Sequence, residues 1–507
     1  MALGSIGLLA DGARSRLVKL GVVFVLGLVL AVASSAQPDP VSAAKTSSKF
    51  QDFVERVALA SSADRAAIVD TFLEDIESVP YIEGDSAIFI YRGGATSVSV
   101  AGDMNGWSPS IDLARLSDTD FWYAVRQYES TARLDYKLIT NGTNWILDPR
   151  NPNLVSGGFG PNSELAMPGY VQPAEIEYRA SIPHGQLVDS VFVSSKLGNS
   201  RRIQIYLPPG YDRAASYGMI LFHDGGDYLA LSSVRNVLDN LIHDDVIDPV
   251  VAVFVPPVNR NDEYAFATAD LYEEFIVDEV LPWLTSDYAV SADPMQRAIT
   301  GPSLGGLISA QICYRNPEAF GLCAPVSPSF WVNNQEIMNE VLDGEKRDIR
   351  FYVDWGTYET SIATTGNAFA SGLEDNGYDV VWNEWYEGHS WGSWRAHLDN
   401  MLIMFFPSVT SGSVIDDEQP RKVGGLSNYP NPFSTSTTLE FELLSGGMTS
   451  IDIYDVTGRM VSQPIAQVYP PGKHRVNLAT DDLPSGAYLV RLTLGDQSDV
   501  VQMILAR

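Results

Sequence analysis

The stretch Gly301-Pro302-Ser303-Leu304-Gly305-Gly306 holds a serine with a glycine two positions away on each side. A serine hydroxyl is a weak nucleophile, so a chain that uses one must lift it clear of the backbone and bring a base to it. The G-x-S-x-G spacing does the lifting: small neighbours let the chain fold back on itself, and the side chain is left standing out of the bend. Such a bend needs a strand before it and a helix after it. Arg297-Ala298-Ile299-Thr300 reads as a short buried strand, and the pattern over Leu304–Arg315 reads as a helix stopped by Asn316-Pro317. The start of that helix turns backbone amides toward the hydroxyl, so the Leu304 N–H is an expected donor to a developing oxyanion.

The base and its orienting acid are sought in the chain order Ser, then Asp or Glu, then His. Of six histidines, three follow the serine. His474 sits among C-terminal strands and His397 in a helical pattern. His389, in Glu387-Gly388-His389-Ser390-Trp391, follows a strand at 380–382 and is the expected general base. The acid belongs in the loop after the strand at 350–353. Asp354 and Glu359 are both available there, and Glu359, further into the loop, is preferred. The second oxyanion donor is expected from His223-Asp224-Gly225-Gly226-Asp227, through the amide of Gly225 or Gly226, with His223 as a structural residue. No Cys/His cluster has metal-ligand spacing, so neither metal nor cofactor is expected. Cys313 and Cys323 read as buried free thiols.

The elements that must carry these residues alternate. Strands at 204–207, 219–222, 250–255, 351–353 and 380–382 are interleaved with helical patterns, one through Val234, Val237, Leu238, Leu241 and Ile242, another through Leu271, Phe275, Leu281 and Leu284. That alternation implies a mostly parallel sheet with helices on both faces, the α/β-hydrolase plan, over residues 173–408. Ahead of it, residues 37–80 read as helical, in two pieces broken near Ser61-Ser62, with Ser62 capping the second and Pro80 ending it. Short strands with tight turns, such as Asn141-Gly142, describe a small β-sandwich over 81–172, its end a Gly/Pro-rich connector from Gly157 to Pro173. Behind it, an acidic linker at 409–425 leads to a second set of strands over 426–507.

The 63 acidic and 33 basic residues leave a net charge of -30, which argues against nucleic acid or an anionic membrane surface as partner. Arg14, Arg16 and Lys19 precede an apolar run from residue 20 to 33, followed by Ser34-Ser35-Ala36. This is the form of a secretory signal over residues 1–36, and the run is shorter than the roughly 20 residues a membrane span needs. No span is expected in the mature protein.

Three resemblances sharpen these expectations. Gly102-Asp103-Met104-Asn105-Gly106-Trp107, Tyr136-Lys137, Trp145 and Asp148-Pro149-Arg150-Asn151-Pro152 resemble the early-set immunoglobulin-like domain of glycogen-binding modules, over about residues 81–170. In its glycan-binding versions two tryptophans and a lysine touch sugar, which implies Trp107, Lys137 and Trp145 here. The same domain also serves as a scaffold with those rings packed inside. Tyr429-Pro430-Asn431-Pro432-Phe433, Tyr454-Asp455-Val456-Thr457-Gly458-Arg459 and Leu483-Pro484-Ser485-Gly486-Ala487-Tyr488 resemble the C-terminal sorting domain of the type IX secretion system, which implies the secretion machinery as a partner. Finally, Gly301 to Gly306, Asp224-Gly225, Val258-Asn259-Arg260 with Glu263, Gly388-His389 and Trp394-Arg395 resemble the enterochelin esterase group, in a family shared with feruloyl and acetylxylan esterases, over about 176–407. That resemblance implies Glu359 as the acid, since Gly356-Thr357-Tyr358-Glu359 matches its place. It implies that Arg260 and Glu263 shape the substrate pocket, with Trp331 and Trp391 lining it. The expected protein is a secreted serine carboxylic ester hydrolase acting on feruloyl or acetyl esters of polysaccharide. The alternatives are a catecholate siderophore esterase, or a carbohydrate-binding surface protein with an inert hydrolase domain.

Overall fold

The computed structural model describes residues 48–408 and, apart from a few short stretches, 423–506. The expected export signal at 1–36, most of the linker expected at 409–425, and motif residues Pro432 and 456–458 lie outside the described residues.

Two short helices come first, α1 (Lys49–Leu59) and α2 (Arg65–Asp75). The cap of α2 is Asp64 rather than Ser62, with Ser61 Oγ donating to the Asp64 carboxylate at 2.6 Å, and the helix ends well short of Pro80. Ten strands follow: β1 (Tyr81–Glu83), β2 (Ser86–Arg92), β3 (Val98–Gly102), β4 (Ile111–Asp112), β5 (Ala114–Arg115), β6 (Phe121–Gln127), β7 (Arg133–Thr140), β8 (Asn144–Ile146), β9 (Leu154–Val155) and β10 (Asn162–Ala166). They form one sheet in the order β1-β2-β6-β5 and a second in the order β4-β3-β7-β10-β9, with β8 beside β7. Period-two alternation explains how they pack. Ala87 and Phe89 of β2 share a core with Leu134, Tyr136 and Leu138 of β7. Ile88 and Ile90, on the other face of β2, pack beneath Phe50, Phe53 and Val57 of α1. Strand β10 falls inside the stretch expected to be an irregular connector: Asn162-Ser163-Glu164-Leu165-Ala166 pairs antiparallel with β7.

The central unit is built on one eight-stranded sheet. Its members are β11 (Gln186–Ser194), β12 (Asn199–Leu207), β13 (Gly218–His223), β14 (Val250–Val255), β15 (Arg297–Pro302), β16 (Leu322–Val326), β17 (Arg350–Gly356) and β18 (Asp379–Trp385). The order is β11-β12-β14-β13-β15-β16-β17-β18, antiparallel at the first two pairings and parallel thereafter. Connecting helices are α3 (Gly225–Leu231), α4 (Val234–His243), α5 (Arg260–Tyr264), α6 (Ala269–Glu274), α7 (Leu281–Asp287), α8 (Leu304–Arg315), α9 (Glu336–Asp343), α10 (Thr360–Asp375), α11 (Trp391–Ala396) and α12 (Leu398–Phe405), with a π-type turn joining α6 to α7. Strand β14 shows why both faces are covered. Val251, Val253 and Val255 enter one core with Phe275 and Ile308, while Val250, Ala252 and Phe254 enter another with Leu238 and Leu402. A run buried on both faces must be apolar throughout. Cys313 and Cys323 are free and buried in the first of these cores.

The C-terminal unit has, among the described residues, seven strands in two sheets, β19 (Val423–Tyr429), β20 (Ser436–Leu443) and β23 (Gly472–Ala479) in one, β22 (Met460–Tyr469), β21 (Gly447–Asp455), β24 (Gly486–Leu494) and β25 (Gln497–Leu505) in the other. Leu439, Phe441, Ile451, Val490 and Met503 share its core. Among the described residues no helix is long and apolar enough to cross a membrane.

Candidate active site

Because β13, β15, β16, β17 and β18 run parallel, the segments that follow them emerge on one edge of the sheet. Those segments carry Asp224, Ser303, Ser327, Glu359 and His389 in turn.

At Ser303 the chain passes from β15 straight into α8, and the serine takes φ 63 and ψ −118. A left-handed φ at a side-chain-bearing residue costs about 1–3 kcal/mol and persists only where surroundings enforce it. Here Ser303 N–H donates to Val326 O at 2.9 Å and Ser329 N–H donates to Ser303 O at 3.0 Å, so the bend is tied to the segment after β16. The flanking glycine is a matter of space: a Cβ on Gly301 would lie 2.8 Å from His223 Cβ and 2.9 Å from Gly305. Ser303 Oγ lies 3.1 Å from Ser329 Oγ.

Glu359 sits where β17 gives way to α10, with its side chain fully enclosed. Ser327 Oγ donates to its Oε1 at 2.8 Å, and Trp394 Nε1 donates to Ser327 Oγ at 3.0 Å. The other oxygen, Oε2, lies 3.5 Å from His389 Nδ1, and the imidazole is 37% exposed. Trp394 meets the His389 ring edge-on, centroids 4.9 Å apart. Asp354, the alternative acid, is turned away. It accepts from Tyr352 OH at 3.0 Å, and burial pushes its pKa up to about 7 despite the nearby His397. A second histidine–carboxylate pair lies deeper: His397 Nε2 is 2.9 Å from Glu387 Oε1, with the imidazole stacked on Trp385 at 3.8 Å.

On the other side of Ser303, Arg260 grips Asp224 with two bonds of 2.8 and 2.7 Å and donates to Pro302 O at 3.1 Å. Burial raises the Asp224 pKa, and Arg260 offsets part of that rise. The Asp224 amide is taken by Tyr264 OH at 2.9 Å. Among the described residues no group accepts from the amides of Leu304, Gly225 or Gly226. Gly225 is required by packing rather than by a ligand, since a Cβ there would sit 2.4 Å from the backbone of Phe254. His223 is fully buried against Tyr272 OH at 3.0 Å, and burial drops its pKa to about 3.

Several expected pocket residues take other positions. Glu263 is buried, both its oxygens on Arg201 at 2.9 and 3.1 Å, so it braces the Arg260 loop from inside and does not face a substrate. Trp391 is 6% exposed and packs edge-on against Tyr228 and Trp394. Trp331 is 54% exposed. Trp145 is exposed and Lys137 half-buried, while the half-buried Trp107 gives its indole N–H to Asp103 at 3.0 Å. Ser327 and Ser329 went unrecognised, as did the bond from Trp394 to Ser327 and the pairing of the expected pocket residue Arg260 with Asp224. A lone serine or tryptophan has no spacing signal; the loop after each parallel strand was the available clue.

Comparisons with known proteins bear on the domains and the fold. Residues 194–405 match the family described as "Putative esterase" and residues 427–506 match the secretion system C-terminal sorting domain. The chain carries an ester-hydrolase domain of that family and a secretion sorting domain. The sorting domain supports secretion or a cell-surface location. The chain is 29% identical over 157 residues to an endo-1,4-beta-xylanase/feruloyl esterase of Xylanibacter ruminicola, an overlap of 28% of this chain and only 22% of that protein. It is 27% identical over 352 residues to an iron(III) enterobactin esterase of Escherichia coli O6:H1, covering 62% of this chain and 85% of that one. A crystal structure of ferric enterobactin esterase from Salmonella typhimurium superposes with a TM-score of 0.58 at 21% identity, over 66% of this chain and 98% of that chain, a likeness of fold.

Proposed function

We propose that this protein is a secreted serine carboxylic ester hydrolase with an α/β-hydrolase core flanked by two small β-sandwiches. The observation that carries it is that Ser303, at a left-handed φ, and an exposed His389 held 3.5 Å from an enclosed Glu359 both follow parallel strands on one edge of one sheet. Ser303 Oγ attacks the ester carbonyl while His389 Nε2 takes its proton. The Leu304 amide and one amide from Gly225 and Gly226 receive the oxyanion. His389 then returns the proton to the leaving alcohol, and water activated by the same imidazole clears the acyl-enzyme. Glu359 holds Nδ1–H and stabilises the imidazolium. Arg260, anchored on Asp224, and the exposed indole of Trp331 border the substrate.

Export and the feruloyl esterase relative favour feruloyl or acetyl esters on polysaccharide as substrates. The alignment with an iron(III) enterobactin esterase over 62% of the chain favours a catecholate siderophore ester as the second reading. Purified protein is tested against feruloyl, acetyl and catecholate esters, alongside fluorophosphonate labelling. Labelling of wild type but not Ser303→Ala is expected, with turnover of feruloyl or acetyl esters. Turnover of the catecholate ester alone reverses the choice of substrate. No labelling and no turnover replaces the enzyme with a carbohydrate-binding surface protein.

A further inference from the structure

We propose that Arg133, which belongs to the N-terminal two-sheet unit and not to the hydrolase domain, is a positioning residue for the loop that presents His389. The inference rests on the reading of His389 as general base.

Arg133 opens β7 and is fully buried. Within its own unit the guanidinium is fixed by Glu164, through Nε at 2.9 Å and Nη2 at 2.8 Å, and by Asp135 at 2.8 Å. The remaining arm crosses to the hydrolase domain, where Nη1 donates to Ser390 Oγ at 3.1 Å. Ser390 is the residue after His389 and caps α11, accepting from Ser393 N–H. The backbone is tied as well: Arg133 N–H donates to Tyr386 O at 3.0 Å, and Arg133 lies in a parallel bridge with Glu387. On the near side of His389 the same unit presses through Asp103. A Cβ on Gly388 would lie 2.1 Å from Asp103 Cγ, and one on Gly392 would lie 2.0 Å from Arg133 Nη2. Both glycines therefore accommodate side chains of the other unit. Asp103 is itself held, accepting from Trp107 Nε1 at 3.0 Å and from Asp135 N–H at 2.7 Å. His389 thus stands between two points, Gly388 and Ser390, each braced from outside its own domain. A guanidinium suits this place because its planar fork can hold two carboxylates and a hydroxyl in fixed directions at once, which an ammonium cannot.

The test uses the full chain and 4-nitrophenyl acetate. Arg133→Lys keeps a positive charge beside Asp135 and Glu164 but gives up the fork. Ser390→Ala removes the oxygen at the far end. Each is expected to lower kcat about 10- to 100-fold, as a displaced reacting group does, with KM changed by less than about threefold. Arg92→Met breaks ion pairs to Asp70 and Asp120 elsewhere in the same unit and is expected to leave kcat in place. Should Arg133→Lys fail to fold, Ser390→Ala decides. Wild-type kcat in the folded variants, or a loss that falls on KM instead of kcat, overturns the assignment, as does an equal loss in Arg92→Met. If His389→Ala keeps wild-type kcat, the general-base reading itself fails. An inactive His389→Ala beside an unaffected Ser390→Ala rejects the clamp alone.

Discussion

Replacing Glu359 by glutamine tests the site at its most informative contact. The carboxylate oxygen lies 3.5 Å from His389 Nδ1. At that separation, with an effective dielectric of about 20 to 40, a unit charge pair is worth about 2 to 5 kcal/mol. Water reaches 37% of the imidazole, so the lower half of that range applies to the imidazolium formed in the transition state, about 2 to 3 kcal/mol. Each 1.36 kcal/mol is a factor of ten, giving a fall of about 30- to 150-fold in kcat. The amide adds a second loss. Ser327 Oγ can still donate to Oε1, which turns the new NH2 group toward His389. Nδ1 must then accept, the proton moves to Nε2, and the imidazole can no longer take a proton from Ser303. The combined loss is expected to reach about 10²- to 10³-fold. Steady-state hydrolysis of 4-nitrophenyl acetate at pH 7.5, with acyl-enzyme burst amplitude, reads it directly. A Glu359→Gln enzyme within about fivefold of wild type, beside an Asp354→Asn enzyme that has lost most of its activity, would refute the reasoning and give the role to Asp354.

Two further predictions concern stability. Gly301→Ala forces a methyl against His223 Cβ and the Gly305 backbone, where neither neighbour can swing aside, so a loss of about 1–3 kcal/mol is expected in urea unfolding; an unchanged midpoint would show that the bend relaxes. Asp354 has its folded pKa raised by burial to about 7 from 3.8, so between about pH 4 and 7 the folded chain keeps a proton that the unfolded chain has lost. Its contribution to stability is therefore lost as pH rises through that window, by up to about 4 kcal/mol. Asp354→Asn should match wild type near pH 3.5 and exceed it at pH 8. Parallel unfolding curves at the two pH values would rule this out.

How far the sequence speaks depends on the range of the interaction. The strand, bend and helix around Ser303 were legible because local spacing sets all three: Ala298 and Ile299 in a short run at 297–300, glycines at 301 and 305, Asn316-Pro317 at the end. The preference for Glu359 over Asp354 came from loop position and resemblance, and in the structure Glu359 is the carboxylate beside His389. Glu263 and Trp391 were placed on a pocket surface because nothing local announces that Arg201 or Tyr228 will cover them. Strand β10 hid because Asn162-Ser163-Glu164-Leu165-Ala166 has weak strand propensity and follows three glycines; its partners β7 and β9 make it a strand. Arg133 was illegible for the same reason, since a charged residue opening a strand reads as an exposed end until a second domain closes over it.

The acidic edge of the sheet also explains why His389 has Glu359 to itself. Asp354, Glu359 and Glu387 are all buried along it, and three neighbouring anions would repel one another strongly. Burial raises Asp354, and the charges on Glu359 and Glu387 raise it further, so below about pH 7 it carries none. Burial would raise Glu387 as well, but His397 and Arg133 hold it below the usual range. His397 is correspondingly raised by Glu387 against the effect of its own burial. Glu387 is thus an anion already matched by a neighbouring cation and has no need of His389. Glu359 receives one hydroxyl and has no positive group among the described residues except the imidazole 3.5 Å away. Its charge is left to be answered when His389 accepts a proton from Ser303, which is the moment in the reaction when a carboxylate there lowers the barrier.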